Sequence, residues 1–216
     1  MRTEVVVCNA VGLARAAALL RAGELVAFPT ETVYGLGARA DQAEAVRKIF
    51  VAKGRPESRP LILHLASAEH APAYVARWTA QAQALAQRFW PGPLTLVLER
   101  GPSIIDEVTA GGPTVALRVP AHPAALELLR ACDFAVAAPS ANLFGASPPR
   151  SGAEVLQGLG GRIAFVLDAG PIAEAVGGRP NGALGSTIVD LTCTPAKVLR
   201  YGALAATEIA SVIELE

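Results

Sequence analysis

The sequence predicts an α/β fold built on a mixed parallel and antiparallel sheet with helices flanking it. Segments of strand and helix character alternate along the chain. Some neighbouring strands, such as Leu94–Glu99 and Thr114–Val119, have no clear helix between them, whereas a purely parallel sheet needs a crossover at each step. Of the 216 residues, 52% are apolar and 18% charged, which supplies one sizeable core and excludes a disordered chain. A chain of this length reads as a single domain over 1–216, with a short helix over 203–216.

Each element has a local reason. Val5–Cys8 is a β-branched strand, and Val11–Ala22 a helix ended by Gly23. Glu24–Phe28 is a strand stopped by Pro29, and the polar, glycine-bearing Thr30–Gly37 reads as a loop. Asp41 and Glu44 form a capping box for a helix that ends near Lys53–Gly54. Leu61–Ala66 is a strand, and Ser67–Arg77 and Thr79–Trp90 are helices, the second stopped by Pro91-Gly92-Pro93. After the two strands already named come a helix at His122–Ala131, a strand at Phe134–Ala138 and a helix at Ser151–Gly158. Strands at Ile163–Leu167, Ser186–Leu191 and Lys197–Tyr201 and a helix at Thr207–Glu214 close the chain. Gly170–Gly185, rich in glycine and proline, is the segment expected to be mobile.

Charge and composition remove several function classes. Lys+Arg and Asp+Glu are 19 each, so no global basic field exists to bind nucleic acid, and an anion site must be a local cluster. No apolar run is long enough to span a membrane, and the first residues carry no signal-peptide pattern. Cys8, Cys132 and Cys193 lie far apart without a C-x-x-C, which predicts buried free thiols in a cytoplasmic protein. His64, His70 and His122 fall in no metal-binding pattern, so no protein-ligated metal is expected.

Four constellations carry chemistry. Gly35-Leu36-Gly37-Ala38-Arg39-Ala40 fits G-x-G-x-x-A, but six residues separate it from the preceding strand, so a dinucleotide site is disfavoured. Lys53, Arg55 and Arg59 cluster in a proline-flanked stretch outside the apolar core, suited to phosphate oxygens or simply to a solvated helix C-terminus. His64 shares a strand face with Ile62 and Ala66, and Arg118 shares one with Thr114 and Ala116. Taken alone, the histidine reads more plainly as a satisfied, half-buried core residue. A buried Arg118 needs an anion, either a ligand carboxylate or an internal Asp or Glu. Ser140 and Asn142 end an apolar strand and, if the chain stays extended, point the same way; a local turn is an equal reading. Ser140 lies in no G-x-S-x-G, which disfavours a hydrolase nucleophile.

Taken in order, Pro29-Thr30-Glu31-Thr32-Val33-Tyr34-Gly35-Leu36-Gly37, Lys53-Gly54-Arg55-Pro56, Pro60-Leu61-Ile62-Leu63-His64, Ser140-Ala141-Asn142 and Ser186-Thr187-Ile188-Val189-Asp190 resemble the YrdC/Sua5 family of threonylcarbamoyl-AMP synthases over about residues 10–202. The resemblance implies a twisted mixed sheet with an open, positively lined cavity. It implies a nucleotidyltransferase that joins L-threonine, bicarbonate or CO₂, and ATP into threonylcarbamoyl-AMP and pyrophosphate. The intermediate then passes to a separate transferase that modifies adenosine-37 of tRNAs reading codons that begin with A; weak contact with tRNA itself stays open. Thr32, His64, Arg118, Ser140 and Ser186 would contact threonine, with Arg118 on its carboxylate. Lys53, Arg55, Arg59, Thr114, Asn142, Arg150 and Arg200 would contact ATP, with Lys53 and Arg55 acting on the reacting phosphates. Mg²⁺ would enter with ATP, needing few protein ligands.

Phe144, Gly185 and Tyr201 depart from the residues usual in the family, which bears on the shape of the nucleotide pocket. The chain ends soon after Arg200, as in the short YrdC type rather than the longer Sua5 type. Two other readings use the same surface: a non-catalytic RNA-binding module, and a paralogue making a related carbamoyl-adenylate. With Arg118 reserved for a ligand, its removal is expected to leave the ligand-free protein stable.

Overall fold

The computed structural model describes residues 2–172 and 185–216. Most of the Gly170–Gly185 segment, over which mobility is expected, lies outside those residues. The chain opens with β1 (Glu4–Val7) and α1 (Ala10–Arg21). Asn9 caps α1 by accepting from the Gly12 amide, and Gly23 follows its C-cap with φ 76°. Next come β2 (Val26–Phe28), β3 (Gly35–Arg39), α2 (Ala43–Lys53), β4 (Ile62–His64), a 3-10 helix (Ala68–Tyr74) and α3 (Ala80–Phe89). β5 (Leu94–Glu99), α4 (Asp106–Thr109), β6 (Thr114–Arg118), α5 (Pro123–Cys132), β7 (Val136–Ala137) and α6 (Gly152–Leu159) follow. β8 (Phe165–Asp168), β9 (Thr187–Asp190), β10 (Lys197–Arg200) and α7 (Ala206–Ala210) complete the fold.

Ten strands form one sheet in the order β1-β8-β2-β3-β7-β4-β6-β5-β9-β10. The β1–β8, β8–β2, β4–β6 and β5–β9 pairs are parallel, and the rest are antiparallel. The mixed sheet is therefore the predicted one.

The two faces of the sheet are covered differently. On one face, α2, α3 and α6 bury Ile49, Leu85 and Val155 in a single cluster with Leu36, Leu63, Leu96, Leu117 and Val189. Each such side chain, fully buried, contributes about 1.5–3 kcal/mol. On the other face, α1 and α5 bury Leu20 and Leu128 with Val26, Phe28, Val136 and Phe165. That second cluster stops at β7. Beyond it, Ile62, Ala116 and Ile188 on β4, β6 and β9 stay half-exposed while their strand neighbours are buried. Among the described residues the helical cover is narrower than the sheet, and the bare patch it leaves positions the site.

Several local expectations are corrected. Thr30–Gly37 is not all loop, because Gly35 and Gly37 lie in β3. A Cβ on Gly37 would meet Val136 at 2.8 Å and the Phe28 ring at 3.0 Å, so the glycines here make room for a ring rather than a turn. The same placement removes the dinucleotide reading, which needs these glycines at a helix start. Gln42, not Asp41, occupies the N-cap of α2; Asp41 is drawn off by Arg39, whose Nε and Nη2 both donate to its carboxylate, at 2.6 and 2.9 Å. In place of the helix expected over Ser67–Arg77 stands the 3-10 helix Ala68–Tyr74, with Pro72 inside it. Asp106–Thr109, between two strands expected to have no helix between them, makes the single turn of α4. The cysteines are all free, but only Cys132 is buried; Cys8 is half-buried and Cys193 exposed, since both sit at strand or loop ends. Among the described residues no helix is long and apolar enough to cross a membrane.

Candidate functional site

A cavity of about 310 Å³ opens on the bare patch. Its floor is the strand face of Ile62, His64, Ala116, Arg118, Val97 and Ile188, and its rim includes Thr30, Arg55, Ser140, Ser186 and Arg200. Among the described lining residues the charged side chains are Arg55, Arg118 and Arg200. Strand alternation explains the floor: β4 and β6 pair in register with His64 beside Arg118, so the two polar side chains emerge together.

His64 is buried, and its Nδ1 lies 3.3 Å from the Ile62 carbonyl oxygen. A carbonyl only accepts, so Nδ1 carries the proton and Nε2 is left as an acceptor. Burial first, and then the charge of Arg118, lower the His64 pKa to about 3, so the ring is neutral at physiological pH. Its edge meets the Phe28 ring at 6.0 Å, closing the seam between the covered and bare halves of the sheet.

Arg118 is held on three sides. Its Nη2 donates to Glu31 Oε1 at 2.7 Å and to Thr32 Oγ1 at 3.1 Å, and its Nε donates to the Gly92 carbonyl at 3.3 Å. The buried arginine thus has an internal acid, and the expectation that its removal costs the ligand-free protein little is corrected. Glu31 was missed as a site residue. The signal was present: a lone acid between two threonines in a segment that precedes a buried strand. Thr30 Oγ1 organises that segment, donating to the Val33 carbonyl at 2.6 Å and accepting from the amides of Thr32 and Val33.

Lys53 is not in an exposed loop. It is the last residue of α2, buried, and its ammonium donates to the carbonyls of Ser140, at 2.5 Å, and Asn142. Burial, and then the charge of Arg55, lower its pKa to about 7. The reason is geometric: Gly54 turns left-handed at φ 61° and ends the helix with Lys53 pointing inward under the chain after β7. Arg55, just past that turn, does reach the cavity, with Nη2 on the Pro60 carbonyl at 3.0 Å.

Ser140 and Asn142 part company. Ser140 is bridged to Gly35 and lines the cavity, whereas the Asn142 amide turns back to the carbonyls of Leu143 and Ala146, at 2.8 and 2.7 Å. The chain is no longer extended there, so the shared direction fails. Ser186 Oγ is 2.7 Å from Thr95 Oγ1, and Arg200 clasps Ser186 through its carbonyl at 2.8 and 3.0 Å and its hydroxyl at 3.0 Å.

The structure thus brings Arg55, His64, Arg118, Ser140, Ser186 and Arg200 to one cavity. Thr32 and Lys53 stand behind it as supports. Arg59 is exposed, and Thr114 sits at the opposite end of β6 from Arg118. Arg150 donates from Nη2 to the Ile172 carbonyl at 2.9 Å, where the described chain breaks off. Among the described residues no cluster of His, Cys, Asp or Glu could hold a metal ion.

Comparison with known proteins gives the same direction. The Sua5/YciO/YrdC family model, described as "Telomere recombination", matches residues 18–202. The chain is 46% identical over 198 residues to the threonylcarbamoyl-AMP synthase of Pyrococcus abyssi, covering 92% of this chain and 56% of that one. It is 45% identical over 202 residues to the threonylcarbamoyl-AMP synthase of Bacillus subtilis, covering 93% and 56%. The crystal structure of P. abyssi Sua5 complexed with L-threonine superposes with a TM-score of 0.89 at 42% identity, over all of this chain and 63% of that one. The chain therefore spans a little over half the length of the curated relatives it matches. With a family model matched over most of its length and the same fold in a solved relative, the chain belongs to the Sua5/YciO/YrdC family.

Proposed function

We propose that the protein is a threonylcarbamoyl-AMP synthase, a nucleotidyltransferase that condenses L-threonine, bicarbonate or CO₂, and ATP, releasing pyrophosphate. The observation that carries this reading is one cavity in which, among the described residues, Arg55, Arg118 and Arg200 are the charged lining groups, beside a neutral histidine and two serines. Such a lining suits a nucleotide polyphosphate and the carboxylate of an amino acid held side by side. The relatives named for this activity support it.

In this reading threonine lies over the floor. Its carboxylate meets Arg118, and its hydroxyl and amine meet His64 Nε2, Ser140 and Ser186, with Thr32 steadying Arg118. ATP lies toward Arg55 and Arg200, with Arg59, Thr114, Asn142 and Arg150 as further contacts; Lys53 serves by holding the Ser140–Asn142 turn in place. The threonine amine attacks CO₂ and loses a proton to give the carbamate. A carbamate oxygen then attacks the α-phosphorus, and the bond to the pyrophosphate oxygen breaks. Little covalent work falls to the protein, so alignment and offset of the growing charge on pyrophosphate supply most of the rate. Mg²⁺ would arrive with ATP, and since no carboxylate lines the cavity among the described residues, the phosphates would hold it. The product is a mixed anhydride, an activated acyl donor; in this reading a separate transferase then moves its threonylcarbamoyl group to tRNA.

The test is pyrophosphate release from Mg-ATP and bicarbonate with and without L-threonine. Release that requires threonine and bicarbonate together is expected. Equal ATP consumption with threonine omitted would overturn the assignment.

A further inference from the structure

The cavity's charges are not equivalent. Arg55 and Arg200 donate to backbone carbonyls and, for Arg200, to a serine hydroxyl; among the described residues neither meets a carboxylate. Burial lowers the pKa of both, and the charge of Arg118 adds to the effect at Arg200. Arg118 differs, because Glu31 lies 2.7 Å from its Nη2 with the arginine side chain 5% exposed and the glutamate 21%. At that distance and burial the glutamate offsets the arginine's charge at longer range, while the field of Arg118 still reaches His64 and Arg200 beside it. Both Nη2 hydrogens and the Nε hydrogen are committed inside the protein, so Nη1 is the amino group with no partner among the described residues. Glu31 Oε2 is buried and has no donor among the described residues.

We propose that Glu31 is a specificity-determining residue: by neutralising Arg118 it divides the cavity into a polyanion half, at Arg55 and Arg200, and a half that accepts a zwitterionic amino acid but repels a simple anion. The argument is electrostatic. A free Arg118 beside two other arginines would attract any phosphate or carboxylate, including the pyrophosphate end of the nucleotide. Paired with Glu31, the same guanidinium still offers Nη1 to a carboxylate, but a lone anion placed there also meets the glutamate charge. An α-amino acid brings its own ammonium within a few ångströms of its carboxylate and so restores the balance. The Glu31 carboxylate, with one oxygen unsatisfied, is the group that a nearby cation would relieve. Glu31 also fixes the guanidinium plane, which makes it a positioning residue for Arg118.

This inference rests on the proposed synthase reading only for the identity of the amino acid, and its test separates the two. The test uses the full chain, wild type and Glu31→Gln, in calorimetric titrations with L-threonine, with its deaminated analogue 3-hydroxybutyrate, and with inorganic pyrophosphate. In the wild type, threonine is expected to bind at least about tenfold more tightly than 3-hydroxybutyrate, a difference of one pK-unit equivalent. In Glu31→Gln, threonine should weaken while 3-hydroxybutyrate and pyrophosphate tighten, and pyrophosphate should begin to compete with threonine. Weakened threonine with no gain for either anion would make the pair merely structural and overturn the proposal. So would unchanged binding of all three ligands. If Glu31→Gln fails to fold, Glu31→Asp, whose shorter side chain draws the charge back from Arg118, takes its place in the same titrations, and the same outcomes decide. A wild type that binds no threonine overturns the synthase reading instead, and the pyrophosphate arm still decides the role of Glu31.

Discussion

The Lys53 ammonium lies 2.5 Å from the carbonyl oxygen of Ser140, a residue 87 positions further along the chain. Its second acceptor is the Asn142 carbonyl, and its own carbonyl accepts from the Phe144 amide. The end of α2 and the turn after β7 are thereby one unit, and Ser140 is held at the cavity rim by a buried cation. Two features that look separate in sequence, a basic stretch and a serine–asparagine pair, are halves of one support.

Removing that support should cost stability as well as rate. Lys53→Met keeps the length of the side chain but strands two carbonyls, each at a cost of about 1–3 kcal/mol. Urea unfolding should report the loss. A variant that unfolds at wild-type urea concentrations yet has lost turnover would show that the ammonium acts on the substrate and not as a strut.

Arg55→Ala should behave oppositely. Its described hydrogen bond is a single one, to the Pro60 carbonyl near the surface, so unfolding should shift by under about 1 kcal/mol. Loss of charge stabilisation at the phosphates should lower kcat for pyrophosphate release by about 10²–10³. Wild-type kcat in this variant would remove Arg55 from the phosphate site.

Arg118→Ala leaves Glu31 without its partner in the ligand-free protein. A fully buried acid stranded this way costs about 3–5 kcal/mol. Glu31 keeps 21% of its side chain exposed, and that solvent access reduces the expected loss to about 1–3 kcal/mol. Glu31→Gln in the same chain should recover part of it. Additive losses in a double-mutant cycle would mean that the pair contributes no coupling.

The His64 pKa of about 3 makes a pH prediction with a definite sign. In the unfolded chain the ring takes up a proton near pH 6.5, while in the folded protein it does so only near 3. The unfolded state therefore binds more protons across that window, and stability falls as pH drops from 6.5 toward 3. The slope from this group is at most about 1.4 kcal/mol per pH unit. Denaturation measured from pH 7 to 4 should be flatter for His64→Gln than for the wild type; identical slopes would show that burial does not exclude the proton.

Gly202→Ala tests how tightly β10 closes the cavity. A Cβ at Gly202 would fall 2.3 Å from the Ser186 carbonyl carbon and 2.4 Å from the Thr187 amide nitrogen, both backbone atoms that cannot step aside. The expected result is a loss of about 1–3 kcal/mol with weaker threonine binding, since Ser186 is what must move. A crystal structure of the variant with Ser186 unmoved would refute the constraint.

The sequence alone determined the mixed sheet, most strand and helix positions, and the motif segments that meet at the cavity. Those readings depend on short-range causes: strand period, N-caps such as Thr79 and Ser151, and the left-handed turn at Gly54. His64 and Arg118 were legible because period two puts them on one strand face each. What only the tertiary structure decided is which side chains face a ligand and which face one another. Lys53 and Arg55 are two residues apart and look alike in sequence, yet the helix end points one into the protein and the other toward the cavity. Glu31 and Arg118 are 87 residues apart, and their pairing follows from strand order and register, which no local pattern encodes. The bare half of the sheet has the same origin. It exists because α1 and α5 cover fewer strands than the sheet contains, a count settled only when all ten strands are in place.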